Sequence, residues 1–233
     1  MVYSGWEEIL DESYRKLDPQ YQAFLENNLA YFPSKEIYFN AFKTLPKTQV
    51  KYILFGQDPY PRKESAIGYA FIDAKVDCIF SEKGLSKEVN RATSLRNFIK
   101  MALVARGDLK AEESSQEAIS KIDKNNLISS MEQLRINFEK NGVLLLNTAL
   151  IFTDKKSSSG HIKAWSPFME HLLHSLERNA PKLILFGIHA KELKKRFSLQ
   201  PFETIELEHP YNHSFISNPR ALNLFGNMKL LEK

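Results

Sequence analysis

Asp58, Asn147 and His209 stand at points of this sequence where chemistry could be done. Asp58 lies in the run Ile53-Leu54-Phe55-Gly56-Gln57-Asp58-Pro59-Tyr60-Pro61. A short stretch of β-formers gives way to Gly, an acid and two prolines, which reads as a buried strand handing one carboxylate to a stiff loop. Ligands of open α/β sheets bind at the C-terminal ends of strands. Pro59 and Pro61 limit the backbone, so Asp58 is expected to be held in place. An acid fixed at that edge is a candidate for catalysis, whereas a structural acid more often caps a helix or lies on a solvated face. Asn147 ends the apolar run Val143-Leu144-Leu145-Leu146, and His209 follows the strand-like Thr204 to Leu207. An amide offers one acceptor and one donor group, and an imidazole can donate a hydrogen bond. At three strand ends these groups would converge on one sheet edge. Each also has a plainer reading: a turn acid, a strand-ending amide, a satisfied loop histidine.

The elements that must position them follow from hydrophobic period. Trp6, Ile9, Leu10, Tyr14 and Leu17, then Phe24, Leu25 and Leu29, have helical spacing, and Asp18-Pro19 separates two helices. Pro33 to Glu36 opens a short helix with Ile37, Phe39 and Phe42 buried. Lys51–Phe55, Val143–Asn147, Leu183–Gly187 and Thr204–Leu207 read as strands. Ala74 to Ser94 reads as a long loop with a helical turn, Leu95 to Val104 as a helix, Arg106 to Ser120 as a solvated connection, and Asn126 to Lys140 as a helix. Thr153 to Lys163 reads as a hydrophilic loop. Ser166-Pro167 reads as a helix start, cap followed by Pro at the first helical position. Helices are expected over Ala190 to Phe197 and Arg220 to Leu231. Strands alternating with helices predict an α/β fold: an α/β/α sandwich around a central, mostly parallel four-stranded sheet, as one domain over 1–233.

The 233 residues suffice for a sizeable core, and 43% hydrophobic with 26% charged residues is ordinary soluble composition. No apolar run approaches the length of a bilayer span. Met1 to Glu8 lacks signal-peptide regions, so export is not expected. Cys78, the single cysteine, forbids an intrachain disulfide and fits a reducing, cytoplasmic setting. A net charge of +4 permits contact with a polyanion without demanding it. His161, His171, His174, His189 and His213 show no metal-ligand pattern, and Lys194-Lys195-Arg196 reads as a solvated face.

Gly56-Gln57-Asp58-Pro59-Tyr60 resembles the first motif of the family 1 uracil-DNA glycosylases. Later segments resemble the family in order: Phe32-Pro33 to Phe42 before it, then Ser94-Leu95-Arg96-Asn97, Leu144-Leu145-Leu146-Asn147-Thr148, Leu185-Phe186-Gly187 and His209-Pro210. The resemblance implies hydrolysis of the bond between uracil and deoxyribose in DNA, with a flipped base, an abasic product, and no cofactor or metal. It assigns Asp58 to the cation-like sugar and the water, and His209 to the departing base as a neutral donor. Asn147 would read the uracil edge, Phe71 stack on the base, Tyr60 crowd its C5 position, and Gln57 belong to the water-positioning loop. Ser94, Tyr211, His213, Ser214 and Phe215 are the implied DNA contacts.

The sequence departs from the family around the DNA. Tyr211-Asn212-His213-Ser214 replaces the usual Ser-Pro-Leu-Ser, so His213 takes the place of the leucine wedge and Phe215 is an alternative wedge. Ile188 stands where a phosphate-contacting serine is common, Pro61 replaces a histidine, and Ala74 to Thr93 lacks the family's proline run. The bond-breaking set is retained while duplex grip is altered, so single-stranded uracil DNA is the expected preferred partner of a monomer, with no membrane involved (and a nuclear location if the source is eukaryotic or viral). A catalytically weak DNA-binding or replication-accessory protein on the same fold is the alternative, and a glycosylase of different base preference a third.

Overall fold

The computed structural model describes residues 5–28 and 30–233, the side chain of Ala190 excepted; Met1 to Ser4 and Leu29 lie outside the described residues. In chain order the elements are α1 (Glu7–Tyr14), α2 (Pro19–Asn27), α3 (Asn40–Thr44), β1 (Tyr52–Gly56), β2 (Phe80–Ser81), β3 (Gly84–Leu85), α4 (Lys87–Arg91), α5 (Thr93–Arg106), α6 (Gln116–Ser120), α7 (Met131–Lys140), β4 (Val143–Asn147), α8 (Ser158–Leu176), β5 (Lys182–Phe186), α9 (Ile188–Arg196), β6 (Thr204–Leu207) and α10 (Pro219–Asn227). The chain divides into two compact units, one of Met1–Asp73 with Gly142–Glu206, the other of Ala74–Asn141 with Leu207–Lys233.

The first unit carries the four-stranded sheet in the order β4-β1-β5-β6. β1 pairs parallel with β4 over its whole length and parallel with β5. Ile53, Leu54 and Phe55 of β1 and all of β4 are buried, as expected of strands covered on both faces. Asp18 breaks the N-terminal helical run as anticipated: its carboxylate caps α2 at the amides of Gln20 and Tyr21, with Pro19 at the first helical position. Phe39 stacks on Phe168 at 5.7 Å and Trp165 meets Phe168 edge-on at 5.2 Å, packing α8 into this core.

The largest departure from the sequence reading concerns α8. It starts at Ser158, eight residues before the expected cap, and runs through Pro167. Ser166 does not cap a helix; its hydroxyl donates to the Ile162 carbonyl inside α8. The Ser-Pro pair looks like an N-terminus in sequence, but packing of Ile162 and Trp165 overrides it, because helix stability in proteins comes mostly from a buried face.

The second unit packs around Phe98 of α5. Phe225 meets it edge-on at 4.9 Å, Phe138 lies at 5.9 Å, and Phe215 stacks at 6.3 Å. The stretch expected as a long loop contains the short β2–β3 hairpin and α4, capped by Ser86. α7 begins at Met131 because Ser130 and Gln133 form a reciprocal capping box.

Candidate active site

β1 and β4 end in register, with Gly56 opposite Asn147. Pairing continues past the strands: Thr148 N–H donates to the Gly56 carbonyl and Ala149 N–H to that of Gln57, each at 3.0 Å. The Thr148 hydroxyl adds a second bond to the Gln57 carbonyl at 2.6 Å. The backbone entering Asp58 is thus fixed from the β4 side. Gly56 is required here, since a Cβ at that position would lie 2.2 Å from Asn147 Oδ1. The Asn147 amide therefore lies across Gly56. Asn147 is only 6% exposed, and among the described residues no protein group hydrogen-bonds its side chain. The buried, unpartnered polar side-chain atoms among the described residues belong to Ser65, Gln116 and Trp165, so the Asn147 amide is largely covered yet still within reach of a ligand.

Asp58 is half-buried and its Oδ2 accepts a hydrogen bond from Ser158 Oγ at 2.5 Å. Ser158 is the first residue of α8 and is itself buried. One turn further, His161 is sandwiched between Tyr21, whose hydroxyl is 2.8 Å from Nδ1, and Thr153, whose hydroxyl is 2.9 Å from Nε2. Burial pushes the His161 imidazole below its ordinary value, against the opposing pull of Asp154 and Asp58. It is a neutral ring that braces the start of α8.

The loop between Tyr60 and Asp73 is closed by its own contacts. Tyr60 Oη donates to the Phe71 carbonyl at 3.3 Å, and Arg62 pairs with the buried carboxylate of Asp73 at 2.8 Å. Burial, aided by the Asp73 charge, raises the Tyr60 phenol well above its usual range, so it stays neutral. Ala70 N–H donates to the Leu145 carbonyl at 3.1 Å, tying the loop to β4. Phe71 has φ +68°, a left-handed conformation that a bulky residue adopts only under constraint. Its ring centroid lies 6.4 Å from that of Phe186 at the end of β5. Asp58 and Asn147 thus sit at the β1 and β4 ends, and the loop that carries Tyr60 and Phe71 is tied to β4 through Ala70.

In the second unit, His209 is half-buried and its Nδ1 accepts from Tyr211 N–H at 3.0 Å. A nitrogen that accepts carries no proton, so the neutral ring has its proton on Nε2 and can donate there. The loop after it is held by Asn97 of α5. Its Nδ2 reaches the carbonyls of Pro210 at 2.8 Å and of Tyr211 and Asn212 at 3.2 Å each. Asn97 is 1% exposed, so this is a buried anchor for the histidine loop.

A profile of the uracil DNA glycosylase superfamily matches residues 42–226. The chain belongs to that superfamily. The wild-type UNG crystal structure from Nitratifractor salsuginis is 56% identical, superposes with a TM-score of 0.96, and spans 98% of this chain and 92% of that one. The uracil-DNA glycosylase of Fusobacterium nucleatum is 28% identical over 90% of this chain and 81% of its own length. That of Borreliella burgdorferi is 24% identical over 91% and 85%. The mimivirus uracil-DNA glycosylase shares the fold, with a TM-score of 0.57 over 88% of this chain and 67% of that one. The α/β architecture with a central four-stranded parallel sheet is that of the superfamily.

The expected DNA contacts separate in the structure. Tyr211 and His213 are exposed, and Tyr211 is 66% accessible. Ser214 is exposed, but its hydroxyl donates to Glu208 Oε2 at 2.5 Å. Ser94 is the second residue of α5 and not its cap; Ala92 holds that place and makes no side-chain cap bond. Phe215 must be corrected: it is 0% exposed and stacked on Phe98, so it is core and not a surface wedge. Ser158 and Asn97 do not stand out in the sequence: Ser158 sits in a triple serine that resembles a loop, and Asn97 lies in a segment whose family resemblance points to Ser94. An Asn on the apolar side of α5, next to Phe98, was the available signal.

Proposed function

We propose that this chain removes uracil from DNA as a monofunctional hydrolase of base excision repair. The observation that carries this is the Asn147 amide, buried, laid across Gly56 and unengaged, at the same strand ends that fix Asp58. An amide with its Oδ1 towards N3–H and its Nδ2 towards O4 matches uracil, and in that orientation cytosine would leave both groups unpaired. As the C1′–N1 bond breaks, the sugar becomes cation-like and the base anionic. The Asp58 carboxylate favours the first and orients the water. The Nε2–H of a neutral His209 favours the second, as a preorganised donor. Water supplies hydroxyl to C1′ and a proton to the base, so the reaction balances without a redox partner. Tyr60 would exclude the thymine methyl and Phe71 would stack on the ring.

The protein prefers single strands. Support comes from the exchanged loop after His209 and from the energy, about a few kcal/mol, that flipping a base out of a duplex costs. Each compact unit is assembled from two separate stretches of chain, which supports reading 1–233 as one functional domain.

The test is an oligonucleotide with one uracil, single-stranded or paired, incubated with the protein and excess EDTA and then treated with alkali. Strand cleavage at uracil, absent at thymine and cytosine, is expected, with single strands cut much faster. No cleavage at uracil in either form would overturn the assignment, and equal rates would overturn the strand preference.

A further inference from the structure

We propose that Tyr211 is a stacking platform for a nucleobase of bound DNA, a role the buried Phe215 cannot fill; this rests on the reading of the protein as acting on uracil in DNA. Among the described residues, Ile188 and Tyr211 are the large hydrophobic side chains left exposed. An exposed aromatic is not by itself informative. This one differs in how its backbone is held. Its N–H donates to His209 Nδ1 and its carbonyl accepts from Asn97 Nδ2. Pro210 before it is buried, with its carbonyl also on Asn97. Asn212 after it donates from N–H to the His209 carbonyl at 2.9 Å. The following turn, His213–Ser217, is anchored by the buried Phe215 and Ile216. The ring is presented to solvent from a backbone fixed on both sides, so little backbone ordering entropy remains to be lost on binding.

The surroundings favour a base over a phosphate. Glu208 accepts from Ser214 Oγ and, at 2.9 Å, from Asn218 Nδ2. Partial burial pushes the Glu208 carboxyl up, but hydrogen bonds from Ser214, Asn218 and Asn212 outweigh it and hold the group below the usual carboxylate range. A fixed negative charge on Ser214 repels phosphate and occupies the hydroxyl that would have bound it. An aromatic face is indifferent to that charge and accepts any base, as in other single-strand binders. Tyr211 is also two residues from His209, so a base stacked on it would neighbour the reacting nucleotide.

Tyr211→Ala, Tyr211→Phe and Tyr211→Leu test this. The side chain is exposed, so all three should fold, as thermal melting will show. Binding is read by anisotropy and by quenching of 2-aminopurine placed beside thymine in a uracil-free single strand, which is independent of catalysis. Tyr211→Ala should weaken binding by roughly 5- to 150-fold and abolish the quenching, Phe should restore both, and Leu should fall between. In uracil excision the Ala loss should appear in KM more than in kcat. Unchanged binding and quenching in Tyr211→Ala would overturn the proposal, as would a Phe variant as weak as Ala. A wild-type protein that binds and quenches but excises nothing would instead overturn the functional reading and leave the platform standing.

Discussion

Ser158 Oγ donates to Asp58 Oδ2 at 2.5 Å, joining the first turn of α8 to the loop after β1 across 100 positions of sequence. The hydroxyl fixes one carboxylate oxygen and leaves Oδ1 for the water of the proposed reaction. Hydrogen bonds to charged groups are worth about 1.5–3 kcal/mol. Ser158→Ala should therefore reduce kcat for uracil excision by roughly 10- to 100-fold, with KM little changed and Ser158→Thr partly restoring it. A kcat within twofold of wild type in single-turnover assays would show that Asp58 needs no such support.

Asp58→Asn and His209→Ala should each lower turnover by about two to four orders of magnitude, the range observed when a charge-stabilising donor or a positioned acid–base group is removed. Neither side chain is fully buried, so thermal melting should change little. A variant that keeps near-normal turnover would show its residue to be outside the reaction.

Gly56→Ala should damage recognition through Asn147. The added methyl would fall 2.2 Å from Asn147 Oδ1 and 3.0 Å from the Ala70 Cβ. Overpacking of this kind costs about 1–3 kcal/mol of stability. The larger effect should be on kcat/KM for uracil, because the amide must turn away. Denaturant midpoints and excision kinetics measured together check this, and lowered stability with intact kinetics would contradict it.

His161 should make stability fall with acidity. Burial sets its folded value below the ordinary 6.5. Above about pH 6.5 the ring is neutral folded and unfolded, and contributes no pH dependence. As pH falls below that, the unfolded chain takes up a proton that the folded one refuses, so stability drops until the folded value is passed. His161→Gln should flatten the dependence of the urea midpoint between about pH 7.5 and 5.5. An unchanged slope would place the acid sensitivity elsewhere.

Much of this site could be read from the chain because its parts are local. An apolar β-former run broken by Gly-Gln-Asp-Pro-Tyr states both the strand and the stiff loop, and Val143 to Asn147 does the same for the amide. The start of α8 could not be read that way. Ser166-Pro167 has the local form of a cap, and the serines before it have the local form of a loop, yet the buried faces of Ile162 and Trp165 draw the helix back to Ser158. Phe215 posed the same difficulty: exposed wedge and buried core residue have one spelling, and contact with Phe98 decides between them.

The sequence by itself determined which strands form the central sheet, that Asp58 sits on a rigid turn at a strand end, and which superfamily the chain resembles, since these depend on neighbours a few residues apart. Tertiary structure alone decided that Ser158 braces Asp58, that Asn97 holds the loop of His209 from 113 positions away, and that Tyr211 and not Phe215 faces water. Those outcomes depend on which distant surfaces exclude solvent together, a property of the packed chain that no short window of residues contains.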